Sequence, residues 1–368
     1  MQQIETPLFK VFMPRSVMSA LEKTLFSGYI AEGEKVSHLT KLVAEYIGNP
    51  RTVLVNSCTM ALTMAYHLSG IGPGDEVITT PLTCVASNQP ILSFGAVPVW
   101  ADVDPDTGMI DPIAVERLIT ERTKAVMVLH KEGDPARLDE ILAIASTHKI
   151  KVIEDAAHAF GAKYKGRKIG NHGDFVCFSF QAIKHMTTGD GGALACKNEN
   201  DYIRAKKMKW FGVDRENRGS GNPWERDISD WGYKANMNDI AATIGIEQMK
   251  HMDEIIEGFN RNGLLYTGLL KGVPGIKLIK RDHQDYSTFW AYCLLAEDKK
   301  SLERKLHESG IGAGQIHPRN DVYSIFASSR RQLPNVDYFS ERELCLPCGW
   351  WVDEDKLSDI CNIIKKGW

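Results

Sequence analysis

Over the first two-thirds of the chain, short apolar runs alternate with segments whose apolar residues recur every three to four positions. The runs at Thr52–Val55, Glu76–Thr79, Val97–Asp102, Ala125–Leu129, Lys151–Glu154, Phe175–Ser179 and Gly192–Ala195 predict strands. Several are apolar almost throughout, as strands buried on both faces must be. Between them, Thr59–Ser69, Ser87–Phe94, Asp111–Ile119 and Ala136–Thr147 carry helical spacing. Strand–helix alternation of this kind predicts an open α/β sheet, whose ligands sit beyond the carboxyl ends of its strands.

The pattern then changes. Residues 238–262 read as one long helix bridging two units. Beyond it come strands at Ile276–Ile279 and Thr288–Leu295, then helices at Lys300–Ser309 and Asp353–Lys366. The chain therefore divides into a large domain, residues 1–250, and a small α+β domain, residues 251–368. The stretch Asp214–Ser229 is rich in Gly, Asn, Arg and Pro and reads as an exposed loop near the site.

Composition narrows the class. The hydrophobic fraction is 43% and the charged fraction 25%, as in ordinary globular proteins. A net charge of −3 gives no electrostatic case for nucleic acid or an anionic membrane surface. The chain lacks an apolar run long enough to span a bilayer, and its N-terminus lacks the apolar block of a signal peptide. Eight scattered cysteines in a chain of 368 residues suggest reduced thiols and a cytoplasmic location. Cys345 and Cys348 form one C-x-x-C with no second pair, so no metal is expected.

The segment from Val152 to Cys196 carries the chemistry. An apolar strand delivers Asp155, and Ser179 and Lys184 follow as S-F-x-x-x-K before T-T-G-D-G-G. A lysine and an acid after two different strands suit pyridoxal 5'-phosphate (PLP): the amine meets the aldehyde and the carboxylate faces the ring nitrogen. The glycines let backbone approach a ligand closely. Each residue also has a plainer account. Lys184 could be a loop lysine, Asp155 a helix cap, and His158 a structural histidine. The run from Asn56 to Leu62 joins a strand to a helix, whose free N–H groups and Thr59 hydroxyl suit a phosphate. Neither a P-loop nor a dinucleotide G-x-G-x-x-G is present.

Together SCTMAL, GAVPVWADVD, VIEDAAHAFGA, FSFQAIKH with TTGDGG, and GYKANMNDIAATIGIEQM resemble the DegT/DnrJ/EryC1/StrS sugar aminotransferases, from about residue 25 onward. The resemblance implies a fold-type I PLP-dependent transferase. Its features are a mostly parallel seven-stranded sheet, a small C-terminal domain, and a homodimer with shared active sites. It implies Lys184 as the Schiff-base lysine and Asp155 at the pyridinium nitrogen. Ser179, Thr59 and the Met60 backbone would meet the phosphate, and His158 would lie beside the ring oxygen. Tyr29 would approach the sugar. Apart from the resemblance, His317 and Arg319 in QIHPRND could meet substrate phosphates or hold a loop packed by ordinary hydrogen bonds, and His185 is taken as a further substrate residue. Three positions depart from the family pattern. Cys58 replaces a glycine. Cys84 stands where an aromatic often stacks on the ring. Lys234 replaces an asparagine that meets the phosphate from the neighbouring subunit.

The resemblance implies transfer of an amino group from an amino acid, by analogy L-glutamate, to a keto sugar linked to a nucleotide, with pyridoxamine phosphate as the intermediate form. The alternatives are an aminotransferase for a small phosphorylated ketone, a sugar dehydratase using the same cofactor, and a non-catalytic regulator on the same fold.

Overall fold

The computed structural model describes residues 4–215 and 227–368. Twelve strands are present among them: β1 Thr52–Val55, β2 Glu76–Thr79, β3 Val97–Trp100, β4 Thr123–Leu129, β5 Lys151–Asp155, β6 Lys163–Tyr164, β7 Arg167–Lys168, β8 Phe175–Ser179, β9 Gly192–Cys196, β10 Ile276–Leu278, β11 Tyr292–Ala296 and β12 Glu343–Leu346. Seven of them form the main sheet in the order β1-β9-β8-β5-β4-β2-β3. β9 runs antiparallel to both β1 and β8, and the other pairings are parallel. This is the mostly parallel, helix-flanked seven-stranded sheet that the resemblance implies.

Every residue of β1, β2, β8 and β9 is buried. That explains their unbroken apolar runs, because helices cover both faces of the sheet. Each fully buried Val, Leu or Ile contributes roughly 1.5–3 kcal/mol relative to exposure. The helices of the first half follow the predicted segments closely, at Cys58–Leu68, Val85–Ser93, Pro112–Leu118 and Leu138–His148.

Two expectations differ from the structure. The segment 238–262 is two helices, Asp239–Met249 and Met252–Leu270, with His251 outside helical geometry at φ −115° and ψ 3°. The two bury different faces. Gly245 lies close against Leu39 of the helix Glu34–Ile47, whereas Ile255, Ile256, Phe259 and Tyr266 are buried in the core shared with the last helix, Glu354–Lys365. The strand expected from Thr288 begins only at Tyr292. The residues before it bond to the turn after β4 instead, Thr288 N–H to Gly133 O at 3.1 Å and Trp290 N–H to Glu132 O at 2.8 Å.

β10, β11 and β12 form a separate antiparallel sheet. Cys345 lies opposite Cys293 across β11 and β12, and the Cys348 thiol donates to Phe259 O at 3.5 Å, so the C-x-x-C cysteines do not face each other. No helix among the described residues is long and apolar enough to cross a membrane.

Candidate active site

Five parallel strands bring polar groups to one edge of the main sheet. β1 leads into Cys58 and Thr59, β2 into Cys84 and Ser87, and β4 into Lys131 and Glu132. β5 ends in Asp155 and leads to His158, while β8 ends in Ser179 and leads to Lys184. The strands point the same way, so chain topology alone gathers these residues at the carboxyl edge.

Asp155 is 3% exposed. One carboxylate oxygen accepts from Ser87 Oγ at 2.6 Å, and the other from Ala157 N–H at 3.0 Å. No helix follows Asp155 directly, so it is not a helix cap. Ser87 is itself held, its hydroxyl 2.7 Å from that of Thr83 and its carbonyl accepting from Tyr66 at 2.7 Å. A buried carboxylate fixed at both oxygens has one remaining direction in which to meet a cation.

Lys184 rests on an aromatic face, its Nζ 3.5 Å from the ring centre of Trp290. The Trp290 indole N–H donates to Ile183 O at 2.8 Å, which fixes the backbone just before the lysine. Burial pushes the Lys184 amine down from 10.5 to about 8, and the nearby carboxylates of Glu132 and Asp155 oppose that shift. His158 stacks on Trp290 at 3.9 Å and 18°. Burial, then the charge of Lys184, holds the His158 ring well below the usual histidine range, so it is a neutral imidazole. His317 lies parallel to it at 5.8 Å, pushed down to about 3 by burial and Lys184. The ring atoms His158 Nδ1 and His317 Nε2 have no hydrogen-bond partner among the described residues.

The start of the helix Cys58–Leu68 forms the other end of the site. Gly192 of β9 makes that approach possible: a Cβ there would lie 2.6 Å from Cys58 N and 2.7 Å from Phe178 O. Cys58 is buried and Thr59 exposed at the first turn. The Met60 N–H, expected to meet a phosphate, is already capped by Ser57 Oγ at 3.2 Å. Ser179 Oγ accepts from Gln181 N–H at 3.3 Å and retains its own proton to donate. Lys234 is exposed, its amine on Asn236 at 2.7 Å and its carbonyl accepting from the Asn56 side chain at 3.3 Å. Cys84 occupies the cap position of the helix Val85–Ser93, three residues before Ser87.

Other expected contacts do not join this cluster. His185, expected at the substrate, is buried here, bonded to Thr288 O at 3.0 Å and edge-on to Phe259 at 4.6 Å. Arg319 is clamped by Asp321 at 2.7 and 2.6 Å and by Asp337, so two carboxylates already neutralise the guanidinium expected to meet a phosphate. Tyr29 is exposed, and its hydroxyl donates to Glu32 O at 2.9 Å. Its turn is anchored by Asp239, which accepts from Gly33 and Val36 N–H at 2.8 and 3.1 Å. Most of the loop expected at 214–229 lies outside the described residues.

Three neighbours of the site were not singled out in the sequence: Ser87, Trp290 and Glu132. Glu132 had a signal, since two charged residues interrupt the apolar run of β4 at its carboxyl end. Trp290 had none, because its place is set by β11 packing from the distant C-terminal part.

The donor set fits PLP. A buried amine titrating near neutrality suits the aldehyde, a fixed buried carboxylate suits the ring nitrogen, and unpartnered imidazole nitrogens remain for polar substituents. The family model for DegT/DnrJ/EryC1/StrS aminotransferases matches residues 14–365. The spore coat polysaccharide biosynthesis protein SpsC of Bacillus subtilis is 36% identical over 93% of this chain and 92% of its own. The UDP-4-amino-4-deoxy-L-arabinose–oxoglutarate aminotransferase of Shewanella sediminis is 34% identical over 97% of this chain and 96% of its own. The crystal structure of the sugar aminotransferase CalS13 from Micromonospora echinospora superposes with a TM-score of 0.94 at 34% identity, covering 98% of this chain and 100% of that one. By fold, site and sequence, the chain belongs to the DegT/DnrJ/EryC1/StrS aminotransferase family and is a PLP-dependent aminotransferase.

Proposed function

We propose that this aminotransferase moves an amino group from L-glutamate to a keto sugar carried by a nucleotide, for amino-sugar or surface-polysaccharide synthesis in the cytoplasm. The observation that carries the site assignment is the buried Lys184 amine, held on Trp290 near Asp155 at the ends of neighbouring strands. The sugar assignment is supported by relatives named for polysaccharide synthesis and for a UDP-linked amino sugar, and the glutamate assignment by the oxoglutarate in the latter name.

Bound there, the cofactor supplies an electrophilic carbon and an electron sink, in its pyridoxal form toward the amino donor and its pyridoxamine form toward the ketone. Asp155 would hold a proton on the ring nitrogen. Lys184, as a free amine, would move a proton at the reacting carbon. The neutral ring of His158, stacked on Trp290, would offer a ring nitrogen to the ring oxygen. Ser179 and Thr59 offer hydroxyls to the phosphate.

A homodimer completes the proposal. Met18, Leu25, Phe26, Tyr29 and Ile30 form an exposed apolar surface on the N-terminal segment, with Phe26 85% exposed. Exposed apolar side chains concentrated in one segment favour association. The division into units 1–250 and 251–368 belongs to the same proposal, with the helix break at His251 as its support. A dehydratase has less support, because Lys184 and not the imidazole of His185 reaches the site cluster.

The test is release of 2-oxoglutarate from glutamate against a panel of GDP-, UDP- and dTDP-linked 3- and 4-keto sugars, together with simple ketose phosphates. Lys184→Ala is expected to lose at least about 10²-fold in rate. It should also lose the visible absorbance and borohydride-fixed cofactor of the native protein. Turnover only with ketose phosphates would overturn the nucleotide-sugar assignment. A native protein left colourless by added PLP would overturn the site assignment.

A further inference from the structure

The turn after β4 places two charged side chains, Lys131 and Glu132, in the interior. Lys131 has a partner in Glu343 at 2.5 Å, with Glu132 Oε1 farther off at 3.3 Å. Lys131 thus bridges two carboxylates, so one ammonium faces two acids, and burial pushes the Glu132 carboxyl above its ordinary range with Lys131 only partly opposing it. Among the described residues Glu132 Oε2 has no hydrogen-bond partner and lies 3.7 Å from His158 Nδ1, which likewise has none. A buried carboxylate oxygen with no donor is costly unless a further cation comes within reach.

The backbone holds Glu132 in this position deliberately. Its φ of 50° is in the left-handed region, uncommon for a residue other than glycine. Gly133, at φ 97°, packs so tightly that a Cβ would lie 2.5 Å from Thr288 Oγ1 and 2.8 Å from Phe289 N. The Glu132 carbonyl accepts from the Trp290 N–H at 2.8 Å. One turn therefore positions both the Glu132 carboxylate and the indole on which Lys184 rests.

The charges facing Lys184 come from several elements. The carboxylates are Glu132 after β4 and Asp155 at the end of β5, and the thiols are Cys58 and Cys84 at two helix starts. The imidazoles of His158, His185 and His317 are held neutral by burial. Asp155 is committed to the cofactor ring nitrogen in the function proposed above. The carboxylate left to balance a Lys184 ammonium is Glu132.

We propose that Glu132 is a positioning residue of the transamination site: the counter-ion of the ammonium that Lys184 becomes each time it leaves the cofactor and takes up a proton. No bond is made or broken at Glu132. Its charge sets how readily Lys184 keeps that proton, and its contact with His158 holds the imidazole flat on Trp290. The inference rests on Lys184 being the site lysine.

The test uses the full-length protein without cofactor, so it does not depend on substrate identity. Competitive labelling of lysines with a small acylating reagent, read by mass spectrometry across pH 6–11, gives the titration midpoint of Lys184. The wild-type midpoint is expected near 8. Glu132→Gln removes the facing charge, so the midpoint should fall by about one pH unit. Glu132→Asp should recover at least half of that shift, and it remains the test if the glutamine variant fails to fold. In the loaded enzyme the acid limb of the kcat profile should move the same way. An unchanged midpoint in a folded variant overturns the proposal, even if the melting temperature falls. A wild-type midpoint above 10 would instead overturn the assignment of Lys184 itself.

Discussion

The Lys184 amine and the Trp290 ring meet at 3.5 Å, although 106 positions separate them in sequence. The indole face favours the ammonium form, by roughly 2 kcal/mol where water is excluded. It therefore offsets part of the burial that lowers this amine. Trp290→Leu should lower the Lys184 midpoint by about one pH unit, whereas Trp290→Phe should keep most of the native value, since a ring face remains. Competitive lysine labelling measures both. The phenylalanine variant separately loses the indole bond to Ile183 O, so its effect should appear in melting temperature.

Ser87 prepares Asp155 before any cofactor is present. Its hydroxyl at 2.6 Å is a charge-assisted bond in a buried site, of the kind worth about 1.5–3 kcal/mol. Ser87→Ala should destabilise the cofactor-free protein by about 2 kcal/mol. Saturating PLP should recover part of this, because the ring nitrogen then meets the same carboxylate. Urea unfolding with and without PLP reads the difference.

His185 gives a stability that depends on pH. Burial lowers its titration from 6.5 to about 4, and the neutral ring bonds Thr288 O. The unfolded chain binds a proton that the folded chain refuses, so this stability is present above about pH 6.5 and lost as pH falls toward 4. The full effect is about 3 kcal/mol, with a slope near 1.4 kcal/mol per pH unit inside the window. His185→Gln retains a donor for Thr288 O but does not titrate. Urea midpoints at pH 7, 6 and 5 should fall less steeply for this variant than for the native protein. Its Michaelis constant for substrate should be nearly unchanged, as expected for a side chain turned into the core.

Phe26 tests the dimer. At 85% exposure it has no role in the core of its own chain. Phe26→Asp should leave the melting temperature of the isolated chain within a few degrees but convert a sedimenting dimer to monomer. A shared active site would then lose activity on dilution, at a concentration where the native protein keeps it.

How far sequence alone reached follows from which constraints are local. The strands β1, β2 and β8 announce themselves because burial on both faces demands continuous apolar runs. Asp155 is legible because it closes such a strand and is followed by small residues, and Lys184 because it follows another within S-F-x-x-x-K, shortly before T-T-G-D-G-G. The helix after β1 is legible for the same reason, an apolar strand meeting capping residues. Where local pattern and packing disagree, packing decides. The helical spacing through Met249 and Met252 continues, yet the two halves face different neighbours and the backbone breaks at His251. The apolar run at Phe289 looks like strand, yet its amides are taken by the β4 turn.

The sequence by itself determined the alternating sheet, the lysine and acid at its carboxyl edge, and membership in a family of PLP enzymes. Only the tertiary structure decided which side chains surround that pair. Trp290 arrives from the C-terminal part, Ser87 from the helix after β2, and Glu132 from a left-handed turn after β4. It also decided that Arg319 and His185 are already committed, to Asp321 and Asp337 and to Thr288. The physical reason is range. Hydrophobic period and capping act within a few residues, whereas the partner of a buried charge is whatever the fold brings within reach.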